Sequence, residues 1–299
     1  MFNEYLTLSN GIKVPQLALG TWLIDDDKAS DAVKSALVIG YRHIDTAQAY
    51  ANERGVGEGI RNSGLKREDI FVTTKVAAEH KDYKTALEGI DGSLKAMGLD
   101  YIDMMIIHSP QPWVEVNQSD NRYQDGNLEA WRALTDAYKA GKLRAIGVSN
   151  FLKEDIENIW NNADIKPMAN QVLCHISNTP LELIGYCQDK GIVMEAYSPV
   201  AHGEALRIPA IAKMAEKYEV SIPQLCIRYD IQLGMIVLPK TANPDHMKSN
   251  ADVDFVISDD DMEILKNLEK IDNYGDSSFF PVYGGKLKGY SGRPGTEVV

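Results

Sequence analysis

The sequence predicts an α/β protein built as a (β/α)8 (TIM) barrel, and three observations carry that prediction. Eight short apolar segments recur along the chain, and amphipathic stretches of helical period separate them. No long linker, low-complexity block or charge run divides the 299 residues. One barrel domain over 1–299 is therefore expected, since a chain of this length is an ordinary size for the fold. A doubly wound open sheet is the second architecture that such alternation permits.

Ahead of the alternation, Leu6–Val14 alternates around Asn10-Gly11. That pattern predicts an N-terminal β-hairpin within 1–15 that closes one end of the barrel. The strand candidates follow as Leu17–Gly20, Tyr41–Asp45, Ile70–Lys75, Asp103–His108, Leu143–Ser149, Met168–Val172, Ile192–Ser198 and Met235–Lys240. Several are continuous apolar runs, such as Met104-Met105-Ile106-Ile107, as expected of strands covered on both faces. Between strands, Asp27–Ile39 carries a stripe of Ala32, Val33, Ala36 and Leu37, with Asp27 as N-cap and Gly40 as terminator. In Asp82–Leu99 the apolar Leu87, Ile90, Leu94 and Met97 recur at helical spacing, and Gly98 ends the pattern. From Asn273 the tail (273–299) is rich in Gly, Ser and aromatics and lacks periodicity. It is either a loop laid over a site or a disordered end.

Formal charge is −12, from 31 Lys and Arg against 43 Asp and Glu. Such a surface repels phosphate backbones and anionic lipid, which counts against nucleic-acid and membrane partners. No apolar run approaches the roughly 20 residues of a membrane helix, and the N-terminus lacks the basic and apolar regions of a signal peptide. Cys174, Cys187 and Cys226 are odd in number and form no CxxC pair, so free buried thiols in a reducing compartment are expected. A cytoplasmic monomer follows. His43, His80, His108, His175, His202 and His246 make no HxH or HxxxH pair, so no metal site is expected and metal-assisted hydrolysis is disfavoured.

Barrel active sites lie at the C-terminal ends of the strands. The second strand candidate ends at Asp45 and its following loop holds Tyr50; the third ends at Lys75 and the fourth at His108. Each alone has an ordinary explanation: a helix cap, loop packing, a solvated amine, a structural imidazole. Together they suit one reaction. A phenol has a reference pKa near 10, and a neighbouring ammonium favours its ionised form, so Lys75 is expected to lower the pKa of Tyr50. Asp45 would pair with Lys75, and His108 would orient a substrate oxygen. The set suits protonation of a carbonyl oxygen while hydride reaches its carbon.

The segment GYRHIDTAQAYANERGVGEGIRNSGLKREDIFVTTKV (Gly40–Val76) resembles the signature region of the aldo-keto reductase family. The resemblance continues through LALGTW (Leu17–Trp22), KLRAIGVSNF (Lys142–Phe151), NQV (Asn170–Val172), AYSP (Ala196–Pro199) and IVLPKTANP (Ile236–Pro244), up to about Leu268. It implies that Asp45, Tyr50, Lys75 and His108 are the family's catalytic tetrad. It also implies an NADP(H) cofactor laid across the barrel mouth, which agrees with the absence of a GxGxxG motif. By resemblance Ser149, Asn150 and Gln171 hold the carboxamide, Tyr197 stacks on the nicotinamide, and Thr21 and Asp45 border it. Ser198 and Val200 line the pyrophosphate path. Lys240, Thr241, His246 and Asn250 would form the adenosine 2′-phosphate pocket, beside the helix start that Asn243-Pro244 predicts.

The chain departs from the family pattern at several positions. His246 stands where Arg is usual, and a neutral imidazole is a weaker phosphate partner. Lys248 and Ser249 occupy a stretch where Glu is often found. Leu173 stands where Glu often follows. NADPH preference with possible NADH use is the expectation. Trp22 and Trp113, with Tyr50, His108 and the tail after Asn273, are expected to bind the substrate, a small-molecule aldehyde or ketone, leaving small aldehydes, dicarbonyls and sugar-derived ketones all open. A catalytically weak barrel acting as a binding or regulatory subunit is the alternative, and the intact tetrad argues against it.

Overall fold

A computed structural model describes residues 1–116 and 118–285. The chain begins with two short strands, β1 (Tyr5–Thr7) and β2 (Lys13–Pro15), paired antiparallel with Leu6 opposite Val14. This is the expected hairpin. Asn10 at its turn donates to the carbonyl of Arg144, 3.0 Å away, near where a central strand starts. The hairpin therefore covers the end of the barrel at which the strands begin.

Eight parallel strands then alternate with helices. β3 (Leu19–Gly20), β4 (His43–Asp45), β5 (Phe71–Val76), β6 (Ile102–Ile107), β7 (Leu143–Ser149), β8 (Ala169–Leu173), β9 (Val193–Tyr197) and β10 (Ile236–Leu238) lie side by side in chain order. Parallel bridges of Leu17 to Val237 and Gly20 to Lys240 join the last strand to the first. The expected (β/α)8 barrel is the observed fold, and an open sheet is excluded by that closure. Gly20 suits the close approach there: a Cβ would stand 3.1 Å from the carbonyl oxygen of Leu238 on the closing strand. Every residue of β5 and β6 is buried, including the Met104–Ile107 run that predicted cover on both faces.

The helices are α1 (Asp26–Ile39), α2 (Glu53–Arg61), α3 (Tyr83–Met97), α4 (Gln124–Lys139), α5 (Lys153–Asn162), α6 (Leu181–Asp189), α7 (Pro209–Lys217), α8 (Ile222–Gln232), α9 (Pro244–Ala251) and α10 (Asp259–Lys266). α3 starts where expected, with the Asp82 carboxylate accepting from the Thr85 amide at 2.9 Å, and stops at Gly98 with φ +62°. α1 starts earlier than expected. Asp25 holds the cap position without a side-chain cap bond, and Asp27 lies in the first turn, where its charge faces the helix dipole instead. Asn243 caps α9 through the Asp245 amide at 2.9 Å, with Pro244 in the first turn.

Residues 273–285 do not extend away from the barrel; Phe280, Pro281 and Val282 line the cavity described below. The remainder of the tail, 286–299, lies outside the described residues. Cys174, Cys187 and Cys226 are free and buried. Among the described residues no helix is long and apolar enough to cross a membrane.

Candidate active site

Strand geometry brings the four predicted side chains together. Asp45 is the last residue of β4, and Lys75 is the last but one of β5, which runs one residue further than expected. Lys75 is wholly buried, and its three ammonium protons are all used. It donates to Asp45 Oδ1 at 2.6 Å, to the Thr46 carbonyl at 2.8 Å and to the Tyr50 hydroxyl at 3.2 Å. An ammonium removed from water in this way is tolerable only because it is paired and fully bonded.

Tyr50 ends a single helical turn, Gln48–Tyr50, after which Ala51 adopts a left-handed φ of 55°. Gln48 pins the turn from beneath. Its amide donates to the Gly89 carbonyl (2.8 Å) and the Ser93 hydroxyl (3.0 Å), and its oxygen accepts from the Ala77 amide (2.8 Å). His108 directly follows β6, its ring 5.7 Å from that of Tyr50 and 5.0 Å from that of Trp113. Its Nδ1 is buried without a hydrogen-bond partner.

The electrostatics of the set differ from the expectation in one respect. Burial pushes the Tyr50 phenol up, and the charge and hydrogen bond of Lys75 oppose this without reversing it. The phenol is thus held above its ordinary value rather than below it. Burial works to lower the pKa of Lys75, but the charges and hydrogen bonds of Asp45 and Tyr50 leave it raised. Burial, then the charges of Lys75 and Lys81, keep His108 neutral.

Above these residues lies a cavity of about 890 Å³. Residues from every strand end except that of β5 line it. Thr21 and Trp22 follow β3, Asp45 and Tyr50 belong to β4 and its loop, and His108 and Trp113 follow β6. Ser149, Asn150 and Gln171 come from β7 and β8, and Tyr197, Ser198 and Val200 from β9 and its loop. Lys240, Thr241, His246 and Asn250 complete it from β10 and α9. Of the predicted site residues only Lys75 is absent from the lining, because it sits beneath the surface, bonded to the Tyr50 hydroxyl. Asn150 and Ser198 hold φ of 60° and 55°, conformations that cost side chains energy and gather at sites.

Of the lining residues His202 lies outside the sequence prediction, while Phe280 belongs to the tail expected to contribute to the substrate pocket. His202 packs edge-on against Trp22 with ring centroids 5.1 Å apart, and Phe280 does so at 4.8 Å. Tyr283 shares a 2.7 Å hydrogen bond with Ser198. Glu195 lies hidden in β9, where Gln171 donates to it at 2.8 Å while also donating to Asp45 at 2.9 Å. An acid inside the apolar run Val193-Met194-Glu195-Ala196 is the signal that could have found it. The loop and tail residues carry no such signal, since backbone turns rather than local pattern deliver them.

The barrel thus gathers a buried ammonium, a phenol and an imidazole at one cavity. The family profile described as Aldo/keto reductase family matches residues 16–270. The chain belongs to the aldo-keto reductase family and is with it an NAD(P)H-dependent oxidoreductase. The uncharacterized oxidoreductase YtbE of Bacillus subtilis (strain 168) is 43% identical over 270 residues, covering 88% of this chain and 92% of that protein. Glyoxal reductase of the same strain is 40% identical over 274 residues, covering 91% and 95%. The crystal structure of a Bombyx mori aldo-keto reductase in complex with NADP matches with a TM-score of 0.80 at 32% identity, covering 94% of this chain and 98% of that one.

Proposed function

We propose that the chain reduces the carbonyl group of an aldehyde or ketone with NADPH, Tyr50 protonating the oxygen, and that the reaction also runs in reverse as alcohol oxidation. The observation that carries this reading is Lys75, shut away from solvent and bonded at once to Asp45 and Tyr50 beneath the cavity. NADPH, when bound, supplies the hydride to the carbonyl carbon.

The chain's own residues supply the rest. A carbonyl oxygen gaining electrons becomes far more basic than a phenolate, so a phenol kept protonated at neutral pH has the driving force to donate. Burial keeps Tyr50 in that form. Once the proton has left, the charge on the Tyr50 oxygen faces the Lys75 ammonium at 3.2 Å. Asp45 holds that ammonium charged and in place. His108, neutral through burial, orients the substrate oxygen by hydrogen bonding without competing as the acid. Trp22 and Trp113 are proposed to wall the substrate half of the cavity.

The donor set fits a nicotinamide dinucleotide. The Gln171 amide nitrogen is spent on Asp45 and Glu195, which leaves its oxygen as the acceptor it offers. Tyr197 is fixed through its hydroxyl, which donates to Asn150 Oδ1 at 2.7 Å, so its ring is held at the cavity wall. Ser149, Asn150 and Gln171 would hold the carboxamide and Tyr197 the ring, with Thr21 bordering it and Ser198 and Val200 along the pyrophosphate. Lys240, Thr241, His246 and Asn250 would take the adenosine 2′-phosphate beside the N-terminus of α9. The NADP complex of the Bombyx mori enzyme supports NADPH as cofactor, while His246 in place of arginine leaves NADH usable.

Mixed with NADPH and a panel of aldehydes and ketones, the protein is expected to consume the nicotinamide absorbance. A panel that leaves the absorbance unchanged although NADPH binds overturns the reading. Kinetics with both cofactors decide the preference: one beyond roughly a thousandfold, about 4 kcal/mol, rules out NADH use.

A further inference from the structure

Glu195 is a buried acid beneath the cavity that the proposed reaction leaves without a task. It lies on β9 in register with Gln171 on β8 and Ile236 on β10, and it is wholly buried. Its Oε2 accepts from the Gln171 amide at 2.8 Å, and its Oε1 has no hydrogen-bond partner. The same Gln171 nitrogen donates to Asp45 Oδ2, and Asp45 Oδ1 takes the Lys75 ammonium. Glu195, Gln171, Asp45, Lys75 and Tyr50 thus form one connected row.

The charge balance of this row is informative. Asp45 and Lys75 cancel, so an ionised Glu195 would leave one uncompensated negative charge in the core, with one oxygen unbonded. Such a charge is costly, and a buried carboxyl placed this way keeps its proton. The charged groups facing Glu195 are Asp45 from β4, which opposes its ionisation, and Lys75 from β5, which favours it. β8 and β10 present the neutral Gln171 and Ile236. Burial, then the charge of Asp45, push the Glu195 carboxyl up to about 7.

We propose that Glu195 is a positioning residue that senses the charge of the cofactor ring, keeping its proton beneath an uncharged ring and releasing it to solvent beneath a cationic one. The inference rests on the proposed function, in which Gln171 holds the carboxamide of that ring. The oxidised nicotinamide carries a positive charge and the reduced one does not, so an ionised Glu195 stabilises only the oxidised form. One proton then leaves the Glu195 carboxyl for bulk water as NADP+ binds. No proton leaves it as NADPH binds. The shared 2′-phosphate affects both cofactors alike and cancels in the comparison.

Calorimetry of the intact protein at pH 6.5, in two buffers of different ionisation enthalpy, reads this directly. The NADP+ heat is expected to differ between buffers by more than the NADPH heat, the excess corresponding to up to one released proton. The ratio of NADP+ to NADPH affinity is expected to rise up to about tenfold from pH 6 to pH 7 and then level off. In Glu195→Gln the ratio should be flat with pH. Equal buffer dependence of the two cofactors in the wild-type protein overturns the inference even if the variant fails to fold, as does an unchanged pH slope in a folded Glu195→Gln. Failure of both cofactors to bind overturns the underlying functional reading instead, and this inference with it.

Discussion

At the end where the barrel strands begin, the hairpin presses Val14 and Leu8 into the core, and the nearby imidazole of His43 is held neutral. Its Nδ1 meets the Pro15 carbonyl at 3.2 Å and its Nε2 the Thr73 hydroxyl at 2.9 Å. At the opposite end the same interior carries Asp45, Lys75, Glu195 and Gln171, all buried and mutually bonded. One end hides a titratable group by refusing it a charge; the other hides a matched pair of charges, Asp45 and Lys75, beside the protonated Glu195. The first arrangement closes the fold, and the second gives up some stability for chemistry.

Removing one member of the charged row should have the largest effect on stability. Lys75→Met leaves the Asp45 carboxylate buried without its cation, and a loss of about 3–5 kcal/mol is expected in urea unfolding. A loss below about 1 kcal/mol would mean that the pair is not buried as described.

The closed end is sensitive to pH in the opposite sense. Burial holds His43 at about 4, against an ordinary imidazole near 6.5. Below pH 6.5 the unfolded chain takes up a proton that the folded chain refuses. Stability is therefore complete above about pH 6.5 and falls as pH drops toward 4, by about 2–3 kcal/mol for this group. His175, buried against Tyr274 and held at about 4 by burial, adds a similar slope. Unfolding curves between pH 7 and pH 4 should show a shallower slope in His43→Leu than in the wild-type protein; equal slopes would mean that His43 is protonated in the fold.

The smallest effect belongs to the cavity rim. His246→Arg offers a bidentate fork to a phosphate, and the NADPH-over-NADH affinity ratio is expected to rise about tenfold, or ~1.4 kcal/mol. Fluorescence titration with each cofactor measures it, and an unchanged ratio removes His246 from the phosphate site.

The two ends also differ in how far the sequence reveals them. The strands were legible because burial on both faces writes continuous apolar runs such as Met104–Ile107, and the hairpin because Asn10-Gly11 admits few other conformations. Asp45, Tyr50, Lys75 and His108 were legible because a barrel puts strand ends on one rim. What escaped depended on three-dimensional balance. The shift of Tyr50 is a contest between burial and Lys75 whose sign no spacing reveals. Glu195 lay inside a segment read simply as a strand. His202 and Phe280 reach the cavity through loop turns, with φ of 53° at His202, that local pattern does not encode. At α1 three consecutive acids, Asp25, Asp26 and Asp27, competed for one cap, and the first took the position.

That Tyr50 is the proton donor is tested most directly by Tyr50→Phe, which removes one hydroxyl and keeps the ring that stands 5.7 Å from His108 and 6.5 Å from Trp22. Carbonyl reduction is expected to fall about 10²–10⁴-fold while the Kd for NADPH stays within about twofold. Wild-type turnover in the folded, NADPH-binding variant would contradict the mechanism.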